Sequence, residues 1–373
     1  MKNVIGLINF HVSPEIQHIT EARPLGSTSF LARYAFCDIP LSMLCDAGIS
    51  KVGLLVKDHQ RSVLKHVGSM DAWQTNTKLS QMVIMYNEGA HLKPSFNTDI
   101  NNIRENDWVI FDSNATHLVI LPCHIVAYMD VNAIVDEHIA RKESITIVGT
   151  EVDDISKEYL NQPILQVNKE GYIDSFKNNN GKQAGSAICS MSAIVINRTT
   201  LADICSVELQ LEPKKSLMEL IFSYAKKRSS RVHLHKFEGK SLCIDSYEHY
   251  IEYSLSMLDP DNIASIFPAG RRIYTLTHDT PPAIYGETCK VKNSMIANGA
   301  IIEGEVDHCI IGRGVKVAKG AKVKNSIIFS SVKIDAGAVV ENALVDKYSI
   351  VTSKHVFKGD KKEFAYAKQG AIL

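Results

Sequence analysis

A six-residue spacing of aliphatic side chains constrains this chain more than any other feature. From about residue 291 the series runs Ile296 and Ile302, then Ile311, Val317 and Val323, then Ile328, Ile334 and Val340, and finally Val345 and Val351. The sets restart every 15 to 17 residues, at Ile296, Ile311, Ile328 and Val345. A period of six suits neither an α-helix nor a half-buried strand, whose periods are about 3.6 and 2. It suits a triangular coil of three short strands, each pointing one aliphatic side chain into a prism. Corners containing Gly299, Gly314, Gly320 and Gly337 fall between the sets. Each coil buries its inner face only against its neighbours, so about three or more are needed, and residues 291–373 supply roughly three and a half.

The segment before the repeat is different in kind. Pro260, Pro268, Pro281 and Pro282 are four of the chain's 11 prolines. Proline fixes φ and removes a donor, so residues 260–290 read as an extended, proline-rich linker. No proline follows Pro282, as stacked coils with hydrogen-bonded strands require.

Residues 1–259 alternate short apolar runs with amphipathic stretches. The runs Val4–Ile8, Val52–Val56, Met82–Met85, Leu118–Leu121, Ile145–Val148 and Ala193–Ile196 predict strands. Val131, Ile134, Val135 and Ile139 share one helical face, as do Leu217, Leu220, Ile221 and Tyr224, and Tyr247, Tyr250, Ile251, Leu255 and Leu258. Continuously apolar strands between helices predict an α/β domain whose mostly parallel sheet is covered on both faces. Such sheets bind ligands beyond the carboxyl ends of their strands. The expected cleft is therefore built from the segments after Ile8, Leu121 and Ile196, and around Ile244. His233 and His235 alternate along a further strand without a visible ligand partner.

Composition narrows the partners. With 41 Lys+Arg against 41 Asp+Glu in 373 residues, the chain lacks the basic excess of a nucleic-acid binder. No apolar run approaches the roughly 18 residues that span a bilayer. The first residues, Met1 to Ile8, lack a signal-peptide core and cleavage site. The eight Cys are scattered with no C-x-x-C pair, which fits neither a zinc site nor a disulfide scaffold. The expectation is a cytoplasmic protein with reduced thiols, no metal, and no membrane or nucleic-acid partner.

Three stretches resemble one family. The first is Arg23-Pro24-Leu25 followed by Phe30, Arg33-Tyr34, Asp38-Ile39-Pro40-Leu41-Ser42 and Ala47-Gly48-Ile49, similar to the pattern RPL…PFGGRYR-IDF-LSN…SGI. The second, Cys189-Ser190-Met191-Ser192-Ala193-Ile194-Val195-Ile196-Asn197, is similar to an SMGIYVFN strand. The third runs from Arg272 to Gly286 and on through Asn293-Ser294-Met295-Ile296-Ala297-Asn298-Gly299 to Ile302-Glu303-Gly304. Together they resemble ADP-glucose pyrophosphorylase, glucose-1-phosphate adenylyltransferase, over nearly the whole chain. The resemblance implies a Rossmann-like nucleotidyltransferase domain at 1–259, the linker at 260–290, and a short left-handed parallel β-helix at 291–373.

That family's chemistry joins ATP and glucose 1-phosphate with Mg²⁺, and the matching positions here depart from it. Where a Gly-rich, Arg-containing loop should follow the first strand stand Asn9-Phe10-His11-Val12, with Phe10 and Val12 in the space for phosphates. The Gly-Asp-His motif is matched by Pro122-Cys123-His124, a soft thiol in place of a hard carboxylate. The Phe-x-Glu-Lys-Pro motif is matched by Phe176-Lys177-Asn178-Asn179-Asn180, so Asn179 stands for the phosphate-pairing Lys. The second metal Asp survives as Asp245 in Ile244-Asp245-Ser246. Losing such charge-stabilising groups costs about 10²–10³ each in rate. Asn9, Phe10, Cys123, His124, Asn179 and Asp245 are thus expected to mark a degenerate cleft with no catalytic residue and no metal of its own.

Arg-Pro-Leu at 23–25 and Ile-Asp-Ser at 244–246 look like the GlgD-type subunit that some bacteria carry beside a catalytic GlgC-type chain. The resemblance implies a heterotetramer with that chain and a regulatory or activating role. It also implies a sugar phosphate or nucleotide effector, with Arg23 as candidate contact; an ordinary surface Arg is the plain alternative. The alternative function is a working adenylyltransferase that releases ADP-glucose and pyrophosphate.

Overall fold

The structure is a computed structural model that describes residues 3–69, 71–73, 81–89, 93–277 and 279–373. Nine strands form the central sheet: β1 (Val4–Asn9), β2 (Lys51–Val56), β3 (Gln81–Tyr86), β4 (His117–Pro122), β5 (Ile145–Val152), β6 (Pro163–Val167), β7 (Ile173–Asn178), β8 (Ala187–Asn197) and β9 (His233–Phe237). The main path runs β7-β6-β8-β4-β1-β2-β3, with β5 beside β8 and β9 beside β5. Seven of the nine run the same way as β1, and β7 and β8 run against them. All six sequence-predicted strands are present. Beta-strand β6 and hairpin partner β7 escaped prediction because Lys177 and Asn178 break the apolar run.

Both faces of the sheet are covered. On β1, Ile5 and Leu7 enter one core while Val4 and Ile8 enter the other, so the strand reads as continuously apolar. One face carries α1 (Asp38–Asp46), α2 (Gln60–Val67), α4 (Val131–Ala140), α6 (Tyr247–Ser256) and α7 (Pro260–Ile266); the other carries α3 (Asp99–Glu105) and α5 (Leu217–Arg228). Caps set several starts: Ser216 and Glu219 close a capping box on α5, and Ser246 caps α6. Ile139, expected on the buried stripe of α4, is exposed. His138 takes that place instead, with hydrogen bonds to Thr146 and Asn197. His233 and His235 also find a shared partner, donating to the two carboxylate oxygens of Glu137 at 3.0 and 2.5 Å.

The proline-rich segment is not extended throughout. Pro260 opens α7, because its missing N–H is one a helix start never uses and its fixed φ suits the first turn. Strand pairing of the prism then begins already at Ile284–Tyr285. Three sheets of five short parallel strands make five coils, not three and a half. The first coil begins in the stretch assigned to the linker, with strand Ile284–Tyr285, and continues through Lys290–Lys292 and Met295–Ile296. The last closes on Val356–Lys358 and Ala365–Ala367, where Phe357 and Ala367 replace the aliphatic period. This is the left-handed β-helix, and its six-residue series is buried inside as expected, with Ile296 of the first coil half-buried. Gly299, Gly314, Gly320 and Gly337 all sit at φ between 67° and 78°, so the corners need glycine's freedom.

One side of the prism carries a second apolar row. Ile310, Ile327 and Leu344, each beside an inward residue, point outward yet are buried, because this side packs on the sheet domain together with Phe329. Equivalent outward positions on the other sides are Lys316, Lys322 and Lys333, all exposed. Burying an aliphatic side chain contributes about 1.5–3 kcal/mol, so this row fixes how the two parts sit together. Among the described residues, no helix is long and apolar enough to cross a membrane.

Candidate functional site

The carboxyl ends of β1 and β4 and the start of α6 converge where the sequence places the cleft, but the segment after Ile196 does not join them: β8 runs against β4 and pairs Asn197 with His117, so it leaves at the other end of the sheet. Asn9 ends β1, and its amide donates to Asp99 Oδ2 at 2.9 Å while its Oδ1 accepts the His11 amide N–H. Asp99 Oδ1 in turn accepts from Leu217 N, so the loop after β1 is tied to the starts of α3 and α5. The His11 ring accepts from Asn102, whose amide also serves the carbonyls of Val56 and Met85. Burial holds the His11 pKa below its ordinary value.

Phe10 occupies the middle of the site. It is 2% exposed, and a β-carbon placed on Gly26 would lie 2.3 Å from its ring and 2.9 Å from Cys123 Sγ. Phe10, Gly26 and Cys123 therefore fill one another's space, and burial drives the Cys123 thiol well up. Its neighbour His124 is wholly buried and donates Nε2–H to Gln162 Oε1 at 3.0 Å; burial pushes its pKa down to about 4.

Asn179 does something a lysine there would not. Its amide nitrogen donates to the carbonyls of Ile155, Glu158 and Tyr159 at 2.7 to 3.1 Å, and its Oδ1 accepts from Gly181 N. These bonds hold the 155–161 segment in the cleft, with Tyr159 buried and hydrogen-bonded to Ser241. Tyr159 and Asn161 sit at φ 55° and 62°, a left-handed turn the segment keeps because Asn179 satisfies its carbonyls. Lys177 is exposed and bonded to Gln183, pointing away from this cluster. Asp245 has both oxygens engaged: Oδ2 accepts from Leu160 N at 2.7 Å and Oδ1 from His249 Nδ1 at 2.5 Å. That bond raises the His249 pKa.

A hard cation asks for accessible carboxylate oxygens in an open, hydratable position. The two metal positions of the resemblance offer instead a buried thiol, Cys123, and a carboxylate whose lone pairs already face protein donors. These residues do not fit Mg²⁺.

The structure thus brings five of the six cleft positions around the strand ends, with Asn179 holding the plug from its own side. Sequence reading missed Asp99, Tyr159 and Gln162, which complete the cluster; the Thr98-Asp99 helix start was legible, the other two carry no local pattern. Arg23 is no surface residue. It is 2% exposed and donates to the Asp346 carboxylate and to Gln369 at 2.9 and 2.8 Å, joining the sheet domain to the prism. Tyr366 also donates to Asp346, and the guanidinium lies 5.7 Å from the Phe329 ring.

Comparison with known proteins agrees with this architecture. The nucleotidyl transferase family model matches residues 18–208, and the model of a GlmU-like C-terminal hexapeptide matches residues 282–373. The chain is 25% identical to glycogen biosynthesis protein GlgD of Bacillus subtilis strain 168, covering 83% of this chain and 79% of that one. It is 26% identical to glucose-1-phosphate adenylyltransferase of Thermosipho africanus, over 87% and 78% of the two chains. The same enzyme of Fervidobacterium nodosum is 26% identical over 94% and 84%. The chain belongs to the nucleotidyl transferase family, and its relatives there are GlgD and glucose-1-phosphate adenylyltransferases.

Proposed function

We propose that this chain is a GlgD-type subunit for glucose-1-phosphate adenylyltransferase in glycogen biosynthesis, working in the cytoplasm as a regulator rather than a catalyst. The observation that carries this reading is the self-filled cleft. Phe10, Cys123, His124 and Asn179 are buried, and the Asp245 oxygens are taken by Leu160 N–H and His249. A catalytic cleft needs accessible donors and cations for a triphosphate and a sugar phosphate. Here those places hold an aromatic ring, a neutral imidazole and a plugging segment. The role left to the chain is linkage: contacts with a catalytic GlgC-type subunit, in a heterotetramer, favour that subunit's competent state.

An effector that bears on this equilibrium would act at the junction of the two parts. Arg23 Nη1 is buried without a partner among the described residues, and Lys347 beside it is pushed down to about 8 by burial and by the Arg23 charge. This supports a sugar phosphate or nucleotide anion at Arg23, with Asp346 as the group it displaces. A working adenylyltransferase is the second reading, favoured by relatives of that name at 26% identity.

The deciding experiment measures ADP-glucose synthesis by this chain alone, by a GlgC-type subunit alone, and by the mixture. Stimulation confined to the mixture is expected. Equal turnover by this chain alone would overturn the regulatory reading.

A further inference from the structure

A thiol, a carboxylate and an imidazole meet behind the cleft in a place the spacing of the cysteines gave no reason to expect. Cys37 immediately precedes α1, Asp38 is its first residue, and His66 lies in the last turn of α2. Their donor atoms all fall within 4.8 Å of one another, and they are the one such mixed cluster among the described residues. His66 Nε2 donates to Asp38 Oδ1 at 2.6 Å, and Cys37 Sγ stands 4.0 Å from the same oxygen.

We propose that Cys37, Asp38 and His66 bind a divalent transition-metal ion of the zinc class. The donor set is the first argument: sulfur, nitrogen and oxygen together suit zinc, whereas magnesium would reject the sulfur. Geometry is the second. Tetrahedral zinc at about 2.0–2.3 Å from its ligands sets donor atoms roughly 3.3–3.6 Å apart. The present separations bracket that value, so His66 has to withdraw from Asp38 by under an ångström while Cys37 rotates inward. Charge is the third, since a thiolate and a carboxylate together neutralise the ion.

The supporting contacts and the access fit as well. Asp38 Oδ2 accepts from Ala35 N at 2.9 Å, which orients the carboxylate, and Cys37 N–H is held by Gly26 O at 2.9 Å. Cys37 and Asp38 are fully buried, while the His66 side chain is 17% exposed, so the ion enters from the imidazole side. On binding, the Cys37 S–H bond breaks, its proton leaves to solvent, and a sulfur–metal bond forms without any change of oxidation state. Water completes the shell from the imidazole side, since the clustered donor atoms are those of Cys37, Asp38 and His66 and do not include the Cys123 sulfur. A buried Asp–His ion pair alone would account for two of these residues but not for the thiol aimed at the same carboxylate.

The test uses the full-length chain, stripped with chelator and titrated with Co²⁺ as an optical probe. One equivalent is expected to produce a thiolate-to-cobalt charge-transfer band with tetrahedral visible bands, displaced by Zn²⁺. Cys37→Ala keeps the packing and His66→Gln keeps a donor to Asp38; each is expected to lose the band while retaining the wild-type circular dichroism. Cys123→Ala is expected to keep the band, and a band lost there yet kept in Cys37→Ala overturns the assignment of the sulfur ligand. Folded wild type that gives no charge-transfer band, or a band that persists in folded Cys37→Ala, overturns the proposal.

Discussion

The prism and the cleft are stabilised in opposite ways. Inside the prism, each coil repeats the same aliphatic position, and Ile302, Val317, Ile334 and Val351 stack along one side with only their neighbours to satisfy. In the cleft no residue repeats another. Asn9, Asn179 and Asp245 each meet partners 80 residues or so away or in another loop, and each partner is specific to one atom. Repetition makes stability additive and tolerant, because one methylene resembles the next. A buried polar cluster makes it all-or-none, because a single missing donor leaves its acceptor stranded.

That difference can be tested where the two regions meet and then within each. Arg23→Ala should be the costliest change, about 3–5 kcal/mol in urea denaturation, because Asp346 stays buried without its cation. Replacing both as Arg23→Met with Asp346→Leu should recover most of it; a single-variant loss below about 1 kcal/mol would mean that the apolar row of Ile310, Ile327 and Leu344 holds the junction alone.

Within the prism, Ile328→Ala should cost about 2–5 kcal/mol through transfer and cavity terms. Lys333→Ala on the exposed side should stay within about 0.5 kcal/mol. Similar losses at the two positions would show that the repeat is loosely packed.

The cleft should reveal itself through pH. His124 has a folded pKa of about 4 against an ordinary 6.5, so below 6.5 the unfolded chain binds the extra proton. Stability from this group is complete above pH 6.5, falls as pH drops towards 4, and is lost below it; about 1.36 kcal/mol per pH unit puts the drop near 3 kcal/mol. His11 and His138, lowered by the same burial, add in the same direction. His124→Gln should remove its share of the slope in melting temperatures measured from pH 7.5 to 4. An unchanged slope would mean that His124 is hydrated in solution.

The smallest effect is a gain. Leu31 and Ala32 hold φ 46° and 65° where the family pattern PFGGRYR has Gly-Gly. A left-handed conformation costs an L-residue roughly 1–2 kcal/mol, and glycine returns part of that through its freer unfolded state. Ala32→Gly should therefore raise stability by about 0.5–1 kcal/mol in thermal unfolding. A loss would show that the alanine methyl packs usefully against the loop.

Much of the scaffold was legible in the sequence because its signals are local. Apolar runs placed six strands of the sheet, and helical stripes placed α4, α5 and α6 to within a turn. Pro260 misled, because a proline marks both linkers and helix starts, and only the following residues' packing decides between them. Of the cleft, the sequence identified which positions depart from the family pattern, yet not what those residues do instead. Nothing near Asn179 announces that it caps the carbonyls of 155, 158 and 159, since those partners lie about twenty residues back along the chain.

By itself, then, the sequence determined the β-helix, the covered parallel sheet and the family, because periodicity and motif are properties of neighbouring residues. Tertiary structure alone decided that Arg23 locks onto Asp346, which stands 323 residues further on. It also decided that Phe10 meets Gly26 and Cys123, and that Cys37, Asp38 and His66 come together. The physical reason is range: burial and backbone geometry follow from short segments, whereas a charge, a thiol or an amide acquires its role only from whatever the folded chain sets against it.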